Sequence, residues 1–291
     1  MAGTGDGGLE KHLQELAAKV SETQRVTVIA HEKFRPRFPS PVQFIAVDLA
    51  AYRYHPLMLF KLLRTLKNLQ PDVIHAHAGK AIAVIALLAP LLKTPLVATV
   101  HNEKQKNLKL SRFHQVIGVS QRTIANITHP NVQAIPNGSV VKSQHAALTK
   151  GKNPAELRLA AIGRLVPAKG FDLLLEDWQE LPYQLSLVGS GPEEARLHQL
   201  AAQWQLTDRV KFTGHCSDVP DYLTEVDLLI ISSRNEGFPY VLVESLLVGT
   251  PVISTRIGGA EEILPEPFLT PDKTPTTLAR HIRYWVEHYD E

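Results

Sequence analysis

Two glutamates, Glu236 and Glu244, stand with seven residues between them in the segment Ser232-Ser-Arg-Asn-Glu-Gly-Phe-Pro-Tyr-Val-Leu-Val-Glu244. The apolar run Leu228–Ile231 precedes them, Gly237 breaks the chain direction, and Pro239 is a favoured first helical residue. That order puts Glu236 on a strand-to-helix loop and Glu244 inside the helix. A helix start offers free backbone N–H groups and a positive dipole end, both suited to a phosphate. One carboxylate can then face a sugar while the other accepts hydrogen bonds from ribose hydroxyls. A second constellation, Ile162-Gly-Arg-Leu-Val-Pro-Ala-Lys-Gly170, sets Arg164 and Lys169 on a turn bounded by Gly163 and Gly170. Such a turn can bring a guanidinium fork and an ammonium point charge onto a diphosphate. Gly189 and Gly191 form a third turn, Val188-Gly-Ser-Gly-Pro192, at another strand end.

Metal chemistry has little support in the sequence. No Asp-x-Asp triplet occurs, so the usual carboxylate bridge to a divalent ion is missing. His75 and His77 have a usable spacing but form only a local pair of candidate ligands, read here as a coincidence at a strand end. No metal or other cofactor is therefore expected. Near the start, Gly3-Thr-Gly-Asp-Gly-Gly-Leu-Glu10 formally fits Gly-x-Gly-x-x-Gly, but no strand precedes it, so a dinucleotide site is disfavoured.

Short apolar runs alternate with helical spacing along the whole chain, the pattern of a doubly wound α/β fold. Strands are predicted at 26–30, 42–47, 73–75, 96–100, 116–119 and 132–135, then at 157–162, 184–188, 210–212, 228–231 and 251–254. Helices are predicted at 9–20, 56–69, 81–91 and 122–127, then at 171–178, 193–204, 219–223, 239–248 and 276–288. The polar stretch 136–154 reads as a linker, giving domains at 1–150 and 151–291. Ligands of open α/β sheets bind beyond the carboxyl ends of the strands, so a cleft between two such domains is the expected site.

These segments resemble the family 4 retaining glycosyltransferases, whose hallmark is a pair of glutamates at this spacing in a Glu-Gly-Phe context. Gly249-Thr-Pro-Val and Gly258-Gly-Ala-Glu-Glu262 extend the match, as do Pro95-Leu-Val-Ala-Thr-Val-His101 and Val116-Ile-Gly-Val-Ser120. The resemblance implies the GT-B fold, two Rossmann-like doubly wound domains facing a central cleft. It implies retention of configuration without a metal, with a nucleotide diphosphate sugar as co-substrate. Glu236, Arg164, Lys169 and His101 would be catalytic. Glu244, Gly237, Phe238, Pro239, Val241, Gly163, Gly189 and Gly191 would bind the donor, and Gly7 and Gly8 would form a loop toward acceptor or phosphate. Both ends depart from the family pattern: no strand precedes the glycine loop, and one helix ends the chain.

Composition narrows the partners. The chain has 291 residues, 44% hydrophobic and 21% charged, as ordinary globular proteins do. A single cysteine, Cys216, excludes an internal disulfide framework and suits a reducing cytoplasm. No secretory signal is visible, and the longest apolar stretch, 81–92, is interrupted by Pro90. Residues 1–150 hold 19 basic and 8 acidic side chains, net +11, while the remainder holds 12 and 21, net −9. No nucleic-acid motif accompanies the basic half, and the acidic half would repel a phosphate backbone, so no nucleic-acid partner is expected. The basic half instead suits an anionic membrane, through Tyr52–Lys67 and Lys104–Arg112. In the first of these, Leu59, Leu62, Leu63 and Leu66 would face a core and Lys61, Arg64 and Lys67 would lie largely elsewhere. The expected acceptor is a glycan or lipid-linked molecule of lipopolysaccharide or other surface polysaccharide synthesis, met at the cytoplasmic face of the inner membrane. The alternative is a non-catalytic sugar-nucleotide-binding subunit.

Overall fold

A computed structural model describes residues 7–48, 52, 54–102, 109–141, 153–271 and 275–289. The chain divides into two compact units, Met1–Asn137 and Gly138–Glu291. The sequence boundary after residue 150 lies outside the described residues.

The first unit opens with α1 (Gly8–Val20), followed by β1 (Thr27–Ala30) and β2 (Gln43–Ala46), α2 (Pro56–Leu69), β3 (Ile74–His77), α3 (Ala78–Leu88), β4 (Leu96–Val100), β5 (Gln115–Gly118), α4 (Gln121–Ile124) and β6 (Val132–Ala134). Its strands pair in parallel throughout, but they form two sheets, β1-β2 and β3-β4-β5-β6, where the sequence pattern reads as one. Among the described residues no strand bridges the two. Each sheet has its own apolar packing. Leu13 and Ala17 of α1 lie with Val28, Ala30, Phe34 and Phe38 beside the small sheet. Met58, Leu62 and Leu66 of α2 and Ile82 and Ile85 of α3 cover the larger one. The α2 stripe repeats at four-residue intervals, so one helical face is buried as its spacing predicts.

The second unit runs β7 (Leu159–Ile162), α5 (Phe171–Trp178), β8 (Leu185–Val188), α6 (Glu194–Gln203), β9 (Val210–Gly214), α7 (Val219–Leu223), β10 (Leu228–Ile231), α8 (Tyr240–Val248), β11 (Val252–Ser254), α9 (Ala260–Ile263) and α10 (Pro275–Glu287). One parallel sheet of order β11-β10-β7-β8-β9 results. The strands β7 and β10 are buried at every position, which is why Leu-Ala-Ala-Ile and Leu-Leu-Ile-Ile read as unbroken apolar runs. The chain winds outward from β7 to β9, then returns to place β10 on the other side of β7. The crossovers that follow β7 and β10 therefore run to opposite sides of that pair, a topological switch point, where open α/β sheets bind ligands. Trp178 anchors the layer beneath, fully buried, its indole N–H donating to the Tyr183 carbonyl at 2.9 Å.

Beside it on α5, Asp177 is only 2% exposed. Burial pushes its carboxyl up to about 8; the Ala279 backbone N–H of α10 opposes this, and the charges of Glu176 and Glu180 add to it. A carboxyl that holds its proton more tightly when folded favours folding below its unfolded pKa, near 3.8, and loses that contribution as pH rises toward 8. Asp177→Asn removes the titration. In urea unfolding, its stability relative to wild type is expected to be about 3 kcal/mol greater at pH 7.5 than at pH 5, from roughly 1.4 kcal/mol per pH unit. An unchanged difference between the two pH values would show that Asp177 ionises freely.

Candidate functional site

The loops beyond β7, β8 and β10 are joined backbone to backbone. Gly163 N–H donates to Val188 O at 2.9 Å and Leu165 N–H to Ser190 O at 2.9 Å. At Gly189, where φ is 141°, a Cβ would collide with the Gly163 carbonyl, and one at Gly191 would collide with that of Leu165. These two glycines let the β8 loop lie directly against the β7 loop.

On the opposite side, Pro167–Lys169 makes a single 3-10 turn that ends at Gly170 in the left-handed region, φ 65°. A Cβ there would collide with the Ser232 carbonyl. The β10 loop closes onto this turn through four kinds of bond. Ser232 Oγ donates to Lys169 O at 3.0 Å and Arg234 N–H to Ala168 O at 2.8 Å. The Arg234 guanidinium donates to Pro167 O at 3.0 Å and to both Asp172 carboxylate oxygens, at 2.5 and 3.0 Å. Burial raises the Asp172 carboxyl, but the Arg234 hydrogen bond and charge, with backbone N–H groups, outweigh it and hold the pKa below the usual value.

This clamp brings Lys169 and Glu236 into an ion pair, with side chains 20% and 17% exposed. Ser233 Oγ donates to Glu236 Oε1 at 3.2 Å, and Ser233 O accepts from Thr255 Oγ1 at 2.6 Å. Arg164 is exposed on the same β7 loop; its carbonyl accepts from Val166 N–H at 2.8 Å, and its side chain makes no hydrogen bond or ion pair among the described residues. Glu244 lies on α8 and is 3% exposed. Pro239, expected as the first helical residue, is the extended N-cap at ψ 129°, and Tyr240 begins the helix. No side chain caps that helix start. Phe238 and Val241 are buried, and Gly259, φ 70°, has no Cβ to strike the Phe238 ring. Sequence reasoning missed Asp172 and Arg234. Arg234 stood inside the quoted motif, yet its partner lies 62 residues away and only the fold supplies it.

In the first unit, Gly7 is the extended N-cap of α1, φ 170°, and Gly8 is the first helical residue; Gly3–Asp6 lie outside the described residues. His12 on α1, His77 ending β3 and His101 just after β4 converge, one ring nitrogen of each lying within 4.8 Å of the others. The isolated His75–His77 pair read from the sequence thus becomes part of a larger cluster. His75 and His77 share a strand face with ring centroids 4.0 Å apart, and His75 Nε2 is engaged with Thr99 Oγ1 at 2.6 Å. His77 is 3% exposed, and burial drives its pKa well down, with the neighbouring histidines adding to the shift. Burial likewise takes His101 down to about 3, aided by His12 and His75. Burial lowers His12 too, against a hydrogen bond with the Asn137 side chain. His12 and Asn137 were also missed, because their partners come from other elements.

The loop contact at Gly170 is open to test. Gly170→Ala puts a side chain into left-handed backbone and against Ser232, with an expected loss of at least about 1–3 kcal/mol from backbone strain alone. A urea midpoint equal to that of wild type would show that the two loops do not meet as described.

Known proteins bear on both units. The family model for Glycosyl transferases group 1 matches residues 146–291, and that for Glycosyltransferase Family 4 matches residues 6–139. The chain is 37% identical over 216 residues to the lipopolysaccharide core biosynthesis glycosyltransferase LpsE of Rhizobium meliloti, covering 70% of this chain and 62% of LpsE. It is 39% identical over 225 residues to the N-acetyl-alpha-D-glucosaminyl L-malate synthase of Bacillus anthracis, covering 66% and 58% of the two chains. The chain thus spans less than two thirds of the length of either relative. Among solved structures, Anabaena HepE in complex with UDP and glucose superposes with a TM-score of 0.81 at 24% identity, over 99% of this chain and 89% of HepE. These matches, with the paired glutamates and the parallel sheets, make the chain a member of the group 1, family 4 glycosyltransferases of GT-B fold.

Proposed function

We propose that the chain is a retaining glycosyltransferase that moves a hexose-type sugar from a nucleoside diphosphate to a glycan or lipid-linked acceptor, with no metal at the diphosphate. The carrying observation is the Lys169–Glu236 pair, held at the switch point of the second unit by the Arg234–Asp172 clamp. As the anomeric C–O bond to the diphosphate breaks, negative charge grows on the departing phosphate oxygen. Lys169 and the exposed Arg164 are cations at that loop and take up the charge, the kind of stabilisation whose loss costs roughly 10²–10³ in rate when one donor is removed. The uncapped start of α8 adds backbone N–H groups for the phosphates. Glu236 serves the donor sugar, and Glu244 the ribose hydroxyls. His101, on the first unit, keeps the donor-sugar role that the family resemblance implies. The acceptor hydroxyl attacks on the face the diphosphate leaves, so configuration is retained. LpsE acts in lipopolysaccharide core biosynthesis, which supports an acceptor of that class. HepE holds UDP, which makes UDP-glucose the natural first probe.

The acceptor side includes a membrane-facing surface on the first unit. At the start of α2, Tyr52, Tyr54, Leu57 and Phe60 are exposed, Leu57 by 74% and Phe60 by 65%. The same outer face continues as Lys61, Arg64 and Lys67, all exposed. Apolar tips followed by cations suit the boundary of an anionic bilayer at its cytoplasmic face. The second basic patch falls mostly on 103–108, outside the described residues, and Arg112 is engaged with the Ala86 carbonyl at 2.6 Å. No helix among the described residues is long and apolar enough to cross a membrane.

Lys169→Ala is expected to lower turnover of a nucleotide diphosphate sugar at least tenfold, measured as diphosphonucleoside release, with an unchanged circular dichroism spectrum. Full turnover in that variant removes Lys169 from the mechanism. In vesicle sedimentation at low salt, the chain is expected to bind anionic vesicles more than a hundredfold more tightly than neutral ones, from about 1 kcal/mol for each of three cations. Equal binding to both would end the electrostatic account of membrane docking.

A further inference from the structure

Three imidazoles from three separate elements meet in the first unit, and no part of the donor chemistry uses them as a set. His12 comes from α1, His77 from the last residue of β3, and His101 from the position after β4. Their ring centroids lie 4.9 to 5.8 Å apart. Among the described residues, His77 Nδ1 and His101 Nε2 are both buried without a hydrogen-bond partner. A buried polar atom in that condition costs about 1–3 kcal/mol, so two within one cluster call for a ligand. Ala78, directly after His77, sits in left-handed backbone at φ 65° although it is not glycine. Strain of that kind collects at sites where a side chain must be held in one direction.

We propose that His12, His77 and His101 together bind one divalent transition-metal ion at the carboxyl edge of β3 and β4. The ligand set decides the class of ion. Three imidazoles without a carboxylate suit zinc, cobalt or nickel, whereas magnesium and calcium take oxygen ligands. Zinc–nitrogen bonds of about 2.0–2.1 Å put tetrahedral ligand nitrogens about 3.4 Å apart, closer than the 4.8 Å limit seen here. Rotation of the rings about χ2, a broad torsion for histidine, closes that gap. Outer contacts are also in place. Asn137 hydrogen-bonds His12, and the His75 ring lies against His77 while its own Nε2 is occupied by Thr99. Such partners orient metal-binding imidazoles. Three protein ligands leave a fourth position open to water or a substrate hydroxyl, the arrangement of exchangeable rather than closed sites. The ion would also tie α1 to the strand ends of the larger sheet. This site belongs to the first unit and shares only His101 with the proposed donor residues, so the donor reading is tested at Lys169 and the metal at His12 and His77.

The full chain, freed of metal by chelator and dialysed, is titrated with cobalt(II) while the visible d–d bands are followed, and then with zinc as competitor. Wild type is expected to bind one equivalent with the intense bands of a low-coordinate nitrogen site, zinc abolishing them. His12→Ala, His77→Ala and His101→Ala should each weaken binding at least tenfold, and His75→Ala should keep it within a factor of about three. Zinc should raise the melting temperature of wild type and not of the His12 variant. His12 is only partly buried, so its variant decides the matter if His77→Ala fails to fold. No saturable cobalt binding in wild type overturns the proposal. So does binding that survives all three substitutions, or that His75→Ala removes equally. The donor-site reading is read separately, by nucleotide-sugar turnover in metal-free protein, and neither result determines the other.

Discussion

Close approach between two backbone segments is the constraint on which the second unit's chemistry depends. The turn after β7 and the loop after β10 touch where Gly170 meets the Ser232 carbonyl, and any side chain at Gly170 would separate them. Once they touch, the polar groups of one segment find partners on the other. Ser232 reaches Lys169 O, Arg234 reaches Ala168 O and Pro167 O, and Asp172 takes the Arg234 guanidinium on both oxygens. Lys169 and Glu236 then have little freedom left. A cation and a carboxylate held this way lose less entropy on engaging a ligand than two long side chains searching independently.

The sheet topology explains why this meeting happens at the switch point. Neighbouring parallel strands whose crossovers leave in opposite directions open a gap above their carboxyl ends, and β7 and β10 are such a pair. Their complete burial fixes the gap rigidly, because close-packed apolar strands resist displacement. The glycine turn after β8 adds a third wall by lying flat on the β7 loop. In this arrangement Gly163, Gly189 and Gly191 matter for the shape of the loops more than for any contact of their own.

The first unit shows a different use of burial. His77 and His101 are carried into a region where charge is penalised, so burial favours their neutral form over the range in which a free imidazole would begin to protonate. Its outer face, by contrast, leaves Leu57 and Phe60 in solvent beside three cations. The charge asymmetry of the sequence thus has a local counterpart on α2, where the basic residues share a face with the exposed apolar ones.

Much of this was legible before any coordinates. Periodicity located the strands of both units, because parallel strands buried on both faces leave unbroken apolar runs, and α2 and α5 match their predicted spans from end to end. The loops after β7, β8 and β10 were visible as well, since glycine, proline and paired charges mark strand-to-helix turns locally. Division of the first unit's strands into two sheets was not legible, because apolar periodicity says that a strand is buried and not which strand lies beside it. The short α9 was missed for a related reason: four residues carry no period. Nor were the partnerships of Arg234 with Asp172, or of His12 with His77 and His101, readable from neighbours in the chain. Sequence by itself determined which residues carry charge, where strands end and where the backbone can turn, since those follow from side-chain type and local sterics. Only the tertiary structure decided which of those residues face one another, because parallel crossovers bring together groups whose separation along the chain holds no record of their distance in space.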